Sequence, residues 1–430
     1  MLAQFFADHN ILNVLIIIIG YLMPIPLSYV AFNFWHHYRT ERFVAGIHWA
    51  LLEIQVPREV NKSPAAMELI FSNAFYHKSK KGFWEQFVQG APWLWFSLEM
   101  VGIDGKVHFY IRTPTRIRDL VETQIYAQYP QAKVFEVEDY VFHVPKLTKH
   151  GGWYMWGCEF TKELHDARPI KTYRDMEEME TGIKEEFKVD PITPVIEFLG
   201  SLGKGKQVWV QILVRQSIKS YHSHGPKKHV DFYQAAQEHL DELLRPFTKV
   251  GSGSGLEGKD SLEIRAPSYL DPIIKKIVRN LEEIHFDCGI RLVTLADKEF
   301  VSEDAFNSLR RESRLIWRQY AAPSLNEFKR INATQFDSPF ADPTGYALTK
   351  IKRRMLDWYR LRVFFHPPLQ YSITYHPLIQ TFFPSHKPEM FVLSTEELAT
   401  IFHFPGLVSE APTFKRMESK IAKPPSNLPS

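Results

Sequence analysis

The sequence is poor in cysteine: it has Cys158 and Cys288 and no others among 430 residues. Two thiols are too few for a disulfide framework or for a cysteine-rich zinc site. We therefore expect a reducing compartment and predict that both cysteines are small buried residues. The chain also lacks a charge imbalance, because a formal net charge of +3 is too small to indicate nucleic-acid binding by itself.

Catalytic motifs are absent as well, since no H-E-x-x-H, G-x-S-x-G or C-x-x-C pattern occurs. The nearest approach is GSLGKGKQ at 200–207, which has the spacing of a phosphate loop but places Gln207 where Ser or Thr should bind Mg²⁺. The run also leads from a predicted helix into a predicted strand, the reverse of the order that points helix amides at a phosphate. We interpret it as a turn and expect no enzyme activity and no cofactor.

Metal-binding patterns are weak. The loop YHSHGPKKH brings His222, His224 and His229 close together in sequence, with no carboxylate or thiol beside them. A metal site needs such ligands or a defined spacing. We favour a solvated basic loop and predict no metal site, with a histidine-bound metal as the alternative.

Charge is missing altogether from residues 11–35. This run is long enough to cross ~30 Å of hydrocarbon as a helix. Aromatic and basic residues typical of a membrane interface follow it: Trp35, Tyr38, Arg39 and Arg42. We predict a single-pass transmembrane anchor at 11–35 after a short segment 1–10, in the cytoplasmic membrane, with the bulk of the chain cytoplasmic. A signal peptide and a buried core helix are the alternatives, but no basic leader or small-x-small cleavage site supports the former.

Hydrophobic periodicity indicates the fold of the remainder. Residues 47–140 alternate as strand, helix, strand, strand, helix and strand, with Asp104-Gly105 as the signal for a hairpin turn. This order is typical of a ferredoxin-like (split βαβ) module. Residues 151–410 repeat the pattern more loosely.

The second module contains polar stretches that we interpret as insertions, at 165–190 and 217–285. Residues 411–430 are Pro-rich and read as a connector or tail. The predicted fold class is therefore α+β: an N-terminal transmembrane helix followed by two ferredoxin-like modules, of which the second carries the insertions.

Basic residues cluster on two predicted helices. Such runs are usually solvated helix faces, and the alternative is contact with DNA, a partner or anionic lipid. The candidate contact residues are Arg310, Arg311, Arg314 and Arg318, and a second run comprises Lys350, Lys352, Arg353 and Arg354.

Two further segments are candidate contact surfaces. One is the aromatic-rich stretch 371–391, and the other is a predicted helix at 395–402 that Ser394 or Thr395 would cap. Core packing is the alternative interpretation for both segments.

Three long stretches resemble the region before the motor domain in membrane-anchored type IV secretion and conjugation ATPases of the HerA/FtsK-like kind from candidate-phyla bacteria: LLEIQVPREVNKSPAAMELIF, FSLEMVGIDGKVHFYIRTPTRIRDLVETQIYAQYPQAKVFEVEDY, and FVLSTEELATIFHFPG with PPSNLP. The resemblance covers most of 47–430. It implies that KPPSNLPS leads toward a motor that carries the phosphate loop. Because the chain stops where that motor would begin, no catalytic residue is carried over.

The resemblance implies a non-catalytic, membrane-anchored assembly or coupling component that docks a HerA/FtsK-like ATPase. Its expected partners are the lipid bilayer, that P-loop ATPase and further copies of the chain, with DNA as another candidate. The alternatives are a membrane-tethered module that binds nucleic acid or lipid headgroups, and a fragment of a longer membrane ATPase. The motor is either a separately encoded polypeptide or a further part of the same chain.

Overall fold

The computed structural model describes residues 20–57, 62–76, 82–148, 150–179, 190–219, 221–222, 229–250, 262–264, 267–268, 270–336, 342–366 and 388–405. These residues fall into two compact units. The first unit contains 20–48, 82–93 and 365–366, and the second contains the other described residues.

The first unit is built on one helix, α1 (Pro24–Ala45), with a π-helical turn at Trp84–Val88. Thr40 is the one buried residue of α1. Residues 11–19 of the predicted anchor lie outside the described residues. Among the helices that the structure describes, none combines the length and the apolar character needed to cross a membrane.

The second unit contains a large antiparallel sheet, so the predicted α+β class is confirmed. Its strands are β1 (Trp49–Gln55), β2 (Trp95–Ile103), β3 (Lys106–Pro114), β4 (Lys133–Glu136), β5 (Trp153–Lys162), β6 (Lys206–Gln216), β11 (His285–Asp297), β12 (Phe328–Ile331) and β13 (Phe391–Ser394). Two small pairs lie outside this sheet: β7 (Tyr221–His222) with β8 (His229–Val230), and β9 (Thr248–Val250) with β10 (Leu262–Ile264).

The main sheet consists of two halves with the same internal order. Its strands run β12-β5-β11-β6-β2-β3-β1-β4, and β13 pairs with β11. From its outer edge to the seam, the half formed by the first part of the chain has the order β4-β1-β3-β2. The other half, also followed from its outer edge to the seam, has the order β12-β5-β11-β6. The halves join where β2 pairs with β6, and Glu99 lies opposite Gln211 at the centre of this seam.

Helices cover both faces of the sheet. They are α2 (Ala65–Ile70, continued by a π-helical turn at Phe71–Phe75), α3 (Arg118–Gln128), α4 (Tyr173–Met179), α5 (Thr193–Gly200), α6 (Phe232–Leu244), α7 (Asp271–Glu282), α8 (Glu303–Ser313), α9 (Tyr346–Leu361) and α10 (Thr395–Ile401). The larger core packs α2, α3, α5, α8 and α10 against one face. On the opposite face, α9 and the stretch 140–147 pack over the middle of the sheet.

Several local predictions are confirmed. Asp104 and Gly105 form the hairpin turn between β2 and β3 with positive φ angles of 51° and 80°. The run 200–207 leads from α5 into β6, and the Gly205 amide donates to Asp104 Oδ1 over 2.7 Å. It is therefore a helix-to-strand turn, as its sequence indicates. Both cysteines are free and buried.

Of the two interpretations of the helix at 395–402, the structure supports core packing, because every residue of α10 is buried and a capping box of Ser394 and Glu397 fixes its start. One prediction is wrong. The basic helix predicted to continue through Arg318 ends at Ser313, so Arg318 lies in a separate 3₁₀ turn. Residues 371–387 of the aromatic stretch lie outside the described residues.

The Asp104-Gly105 turn generates a stability prediction. Gly105 has φ of +80°, and an added Cβ would lie 2.8 Å from the Leu202 carbonyl oxygen. Because both the backbone angle and the contact oppose a side chain, Gly105→Ala should lower the free energy of unfolding by at least about 1–2 kcal/mol. Urea denaturation measures this change. Gly203→Ala is the control, since nothing lies within 4 Å of its added Cβ, and equal losses in the two variants would contradict the prediction.

Candidate functional site

A row of polar side chains crosses the middle of the sheet. Each central strand contributes one polar residue flanked by apolar ones, and adjacent members lie opposite one another in register. The row consists of Glu159 on β5, Arg291 on β11, Gln211 on β6, Glu99 on β2, Tyr110 on β3 and Glu53 on β1. All are buried, and burying such groups is costly unless they are hydrogen-bonded and paired.

Glu99 is the centre of this row. Its carboxylate accepts from Arg362 Nε at 2.9 Å and Nη2 at 3.0 Å, a bidentate geometry. Ser97, Tyr140 and Gln211 donate to it as well. Burial alone would raise the pKa of Glu99, but the Arg362 charge and these hydrogen bonds outweigh burial and hold that pKa below its usual value. Glu99 is therefore a buried, ionised carboxylate at the seam between the two halves.

Arg362 reaches Glu99 from the end of α9. It is the C-cap residue and adopts the left-handed conformation, with φ of 51°, which is unusual for a residue other than glycine. Its guanidinium also makes a bidentate pair with Asp139 and donates to the Arg360 carbonyl over 2.9 Å. The five N–H donors of this side chain therefore all have acceptors.

The other half of the row is centred on Arg291. Its Nη2 donates to Glu159 Oε1 over 2.7 Å, and its Nη1 donates to Gln211 Oε1 over 3.3 Å. Arg291 also donates to the Val363 carbonyl over 3.2 Å. Asn332 donates to the second oxygen of Glu159 over 2.7 Å. Both halves of the sheet thus present a buried ion pair on the same face.

The C-terminal turn of α9 and the residues just after it bridge the two halves. Arg362 binds Glu99 of the first half, whereas the Tyr359 and Val363 carbonyls accept from Gln211 and Arg291 of the second half. A cavity beside Glu159 has a volume of about 10 Å³, enough for about one water molecule. The C-terminal end of α9 is therefore a structural joint between the two halves of the sheet.

The predicted basic face divides into two parts. The charge of Arg310 acts on Arg314, and the Nε atoms of both are buried without a hydrogen-bond partner among the described residues. Arg314 also donates from Nη2 to Gln335 Oε1. The Arg314 guanidinium lies 5.2 Å from the centre of the Trp156 ring. In contrast, Arg311 is exposed and donates to Ser308, and Arg318 is exposed in its own turn. The structure therefore brings together two of the four predicted contact residues.

Further cations join Arg310 and Arg314, and we call this group the cationic corner: Lys298, Arg310, Arg314, Arg330 and Lys352. Burial lowers the pKa of Arg314, and the charges of Arg330 and Arg310 lower it further. The pKa of Lys352 on α9 is lowered by burial and then by Arg310 and Lys298, against the opposing effect of Glu303. Like charges from separate elements thus repel one another here, and an anion would relieve the repulsion.

Two other members of the second predicted basic run, Arg353 and Arg354, contact groups of the protein, whereas Lys350 is exposed. Arg353 donates to the Leu147 carbonyl over 2.5 Å. The Arg354 guanidinium lies 5.3 Å from the centre of the Trp358 ring. The second predicted basic run is therefore divided as well, because Lys352 joins the cationic corner, Arg353 and Arg354 pack elsewhere, and Lys350 is exposed.

The predicted membrane-interface residues lie at the C-terminal half of α1. Trp35, Tyr38 and Arg42 are exposed, and the Arg42 guanidinium lies 5.7 Å from the centre of the Tyr38 ring. Arg39 is instead half-buried and donates from Nε to the Val88 carbonyl over 3.0 Å. Arg39 thus binds a neighbouring segment of its own unit.

Within the described residues, no group of three His, Cys, Asp or Glu side chains could hold a metal ion. This finding does not test the loop that contains His222, His224 and His229. His224 and the side chains of the other two histidines lie outside the described residues.

Sequence reasoning missed the polar row, although a signal for it exists. Isolated polar residues interrupt the apolar runs of separate strands, as Glu99 does in FSLEMVG and Gln211 does in VWVQILV. A lone polar residue in a buried strand needs a partner, but the partner's identity is set by pairing between distant segments. The comparisons with known proteins add no assignment, because no family model and no curated protein matches the chain.

The joint predicts strong coupling between Glu99 and Arg362. Arg362→Met should cost about 3–5 kcal/mol of folding free energy, because it leaves a buried carboxylate without its partner. Glu99→Gln should also destabilise, and the double variant should lose less than the sum, since each single change already breaks the pair. Urea denaturation of the four proteins gives the coupling free energy.

The exposed pair of Lys329 and Glu163, 2.8 Å apart, provides the control. Lys329→Met should change stability by no more than about 1 kcal/mol. Additive effects of the Glu99 and Arg362 substitutions would show that the two side chains do not act as a unit.

Proposed function

We propose that this chain is a membrane-attached, non-catalytic assembly component of a translocation machine of the type IV secretion or conjugation kind. It would position a HerA/FtsK-like ATPase at the cytoplasmic membrane, with the second unit on the cytoplasmic side. The observation that carries the proposal is the exposed apolar surface of α1.

This surface runs along α1 and the residues just before it. Tyr21 is 82% exposed and Ile25 is 69% exposed, and large apolar side chains remain exposed as far as Tyr38. A helix of a water-soluble protein normally hides an apolar stripe against a core, whereas α1 buries only Thr40. Together with the uncharged residues 11–19 that precede it, this supports an anchor in lipid.

We also propose that each half of the sheet is a ferredoxin-like module. The two antiparallel orders, β4-β1-β3-β2 and β12-β5-β11-β6, are those of a split βαβ arrangement. The elements inserted into the second half, α4 and the stretch from β7 to α7, occupy the predicted insertions. A sheet held rigid by its polar row suits a scaffold, and its edges β4 and β12 are where further copies would dock.

The ATPase partner rests on the resemblance of the sequence to regions that precede HerA/FtsK-like motors. The chain itself supplies surfaces for attachment and assembly in this proposal. The motor would supply nucleotide hydrolysis, either as a separate polypeptide or as a further part of a longer chain.

Affinity purification from native membranes in mild detergent tests the proposal. We expect the chain to carry with it a P-loop ATPase that hydrolyses ATP. The triple variant Leu22→Ser, Ile25→Ser, Leu27→Ser should leave the membrane fraction and lose the ATPase, because it removes exposed apolar surface. The control variant, Val278→Ser, Tyr346→Ser, Leu361→Ser, changes side chains that are also exposed and should retain both. Purification without an ATPase would contradict the proposal.

A second candidate function is binding of nucleic acid by a membrane-tethered module. The observation that favours it is the cationic corner, where the buried Nε atoms of Arg310 and Arg314 have no acceptor within the part of the chain that the structure describes. Phosphate oxygens supply both the missing acceptors and the compensating charge.

This candidate predicts salt-dependent binding of a single-stranded oligonucleotide. Arg310→Met/Arg314→Met should weaken binding and reduce the slope of log affinity against log salt by about 1–2, as expected for two lost phosphate contacts. Arg311→Met/Arg318→Met removes the same charge from exposed positions and should have little effect. Fluorescence anisotropy at several salt concentrations measures both. Equal weakening in the two variants would mean that net charge alone controls binding.

A further inference from the structure

A short aromatic segment packs on α1 within the first unit, and we define the aromatic segment as residues 82–90. Arg39 Nε donates to the Val88 carbonyl over 3.0 Å, and His36 Nε2 lies 3.1 Å from the Gln86 carbonyl oxygen. Two backbone carbonyls of the segment are therefore held by side chains of successive turns of α1.

The end of the segment approaches the backbone of α1 very closely. Gly90 has φ of +72°, and an added Cβ would lie 2.6 Å from the Thr40 amide nitrogen and 2.7 Å from the Arg39 carbonyl carbon. A side chain there would need both a strained backbone and displacement of the helix. Glycine thus permits the contact, and the contact fixes the level along α1 at which the segment lies.

The aromatic side chains of the segment have two orientations: Phe87 faces α1, whereas Phe83 and Trp84 are exposed. The Phe87 ring lies 5.8 Å from the His36 ring and 4.8 Å from the Phe83 ring. Phe83 is 74% exposed and Trp84 is 65% exposed. The π-helical turn Trp84–Val88 buries none of its residues. Large aromatic side chains are thus presented outward from a backbone that is tied to the helix.

The segment contacts α1 at the position along the helix where the exposed apolar surface ends. The exposed apolar residues of α1 continue to Trp35 and Tyr38, and the exposed Arg42 follows one turn later. The segment contacts α1 at 36–40, a stretch that includes Tyr38 and lies between Trp35 and Arg42. Trp and Phe at such a level match the boundary between hydrocarbon and headgroups, where amphipathic and aromatic rings are favoured.

We propose that the aromatic segment is a second membrane contact, in which Phe83 and Trp84 enter the bilayer interface beside α1 while Arg42 lies among the headgroups. This inference rests on the membrane attachment proposed above. Two contacts at one level would fix the depth and the rotation of α1, which one helix alone leaves free. The occupant is lipid rather than a protein because the aromatic surface continues the exposed apolar surface of α1.

Site-specific labelling of the full chain tests the inference. Cys158 and Cys288 are buried, so a single introduced cysteine can carry an environment-sensitive NBD fluorophore. The labelled variants are Trp84→Cys, Ile25→Cys on α1, and Tyr346→Cys as an exposed position of the second unit. Each is reconstituted into vesicles of phosphatidylcholine and phosphatidylglycerol, with and without brominated acyl chains.

We expect a blue shift and quenching by brominated lipid at 84 and at 25, and neither at 346. A label at 84 that stays in water while the label at 25 is quenched would overturn the inference and leave membrane attachment standing. Labels that stay in water at both positions would overturn both. A label at 84 that is shielded from water but not quenched by brominated lipid would mean that protein covers the segment, and this too would overturn the inference.

A matched substitution provides a second readout. Adding Phe83→Ser to the chain labelled at 84 should reduce quenching at 84, because the Phe83 ring, which remains beside the label, is lost. Adding Phe142→Ser, which changes a ring that is also 74% exposed, should leave quenching unchanged. Equal quenching in these two chains would show that Phe83 does not enter lipid.

Discussion

The pairing of Glu99 with Arg362 is the interaction on which the second unit depends. A buried carboxylate is costly unless charge and hydrogen bonds compensate it, and here a bidentate guanidinium and three further donors do so. Because Arg362 lies just beyond α9, satisfying Glu99 also fixes where that helix ends. The same guanidinium pairs with Asp139, so one side chain joins a strand, a helix end and a connecting segment.

The polar row also explains how two sheet halves can form one sheet. Side chains alternate between faces along a strand, so a slip of one residue at the β2–β6 seam would carry Glu99 to the opposite, apolar face. The row therefore stabilises one register by making the alternatives leave charges unpaired. Both halves are hydrogen-bonded to the same stretch at the end of α9. Glu99 of the first half accepts from Arg362, and Gln211 and Arg291 of the second half donate to carbonyls beside Arg362.

The two units differ in which side chains they bury and which they expose. In the second unit the polar row is buried, and its members are hydrogen-bonded to one another and to the end of α9. In the first unit apolar groups are exposed along α1 and on Phe83 and Trp84, and a lipid-facing surface is the proposal that accounts for them. The cationic corner belongs to the second unit and differs from the polar row, since its charges are of one sign and the Nε atoms of Arg310 and Arg314 have no partner among the residues that the structure describes.

The sequence by itself determined what depends on neighbouring residues: the strands and helices that set the α+β class, the Asp104-Gly105 hairpin, the helix-to-strand turn at 200–207 and the capped start of α10. These follow from periodicity and turn chemistry, which act over a few positions. Tertiary structure alone decided that α10 is buried, that Arg310 and Arg314 separate from Arg311 and Arg318, and that Glu99 meets Arg362. Each of these depends on pairing between segments far apart in the chain, and local sequence carries no signal for which distant partner a side chain will find.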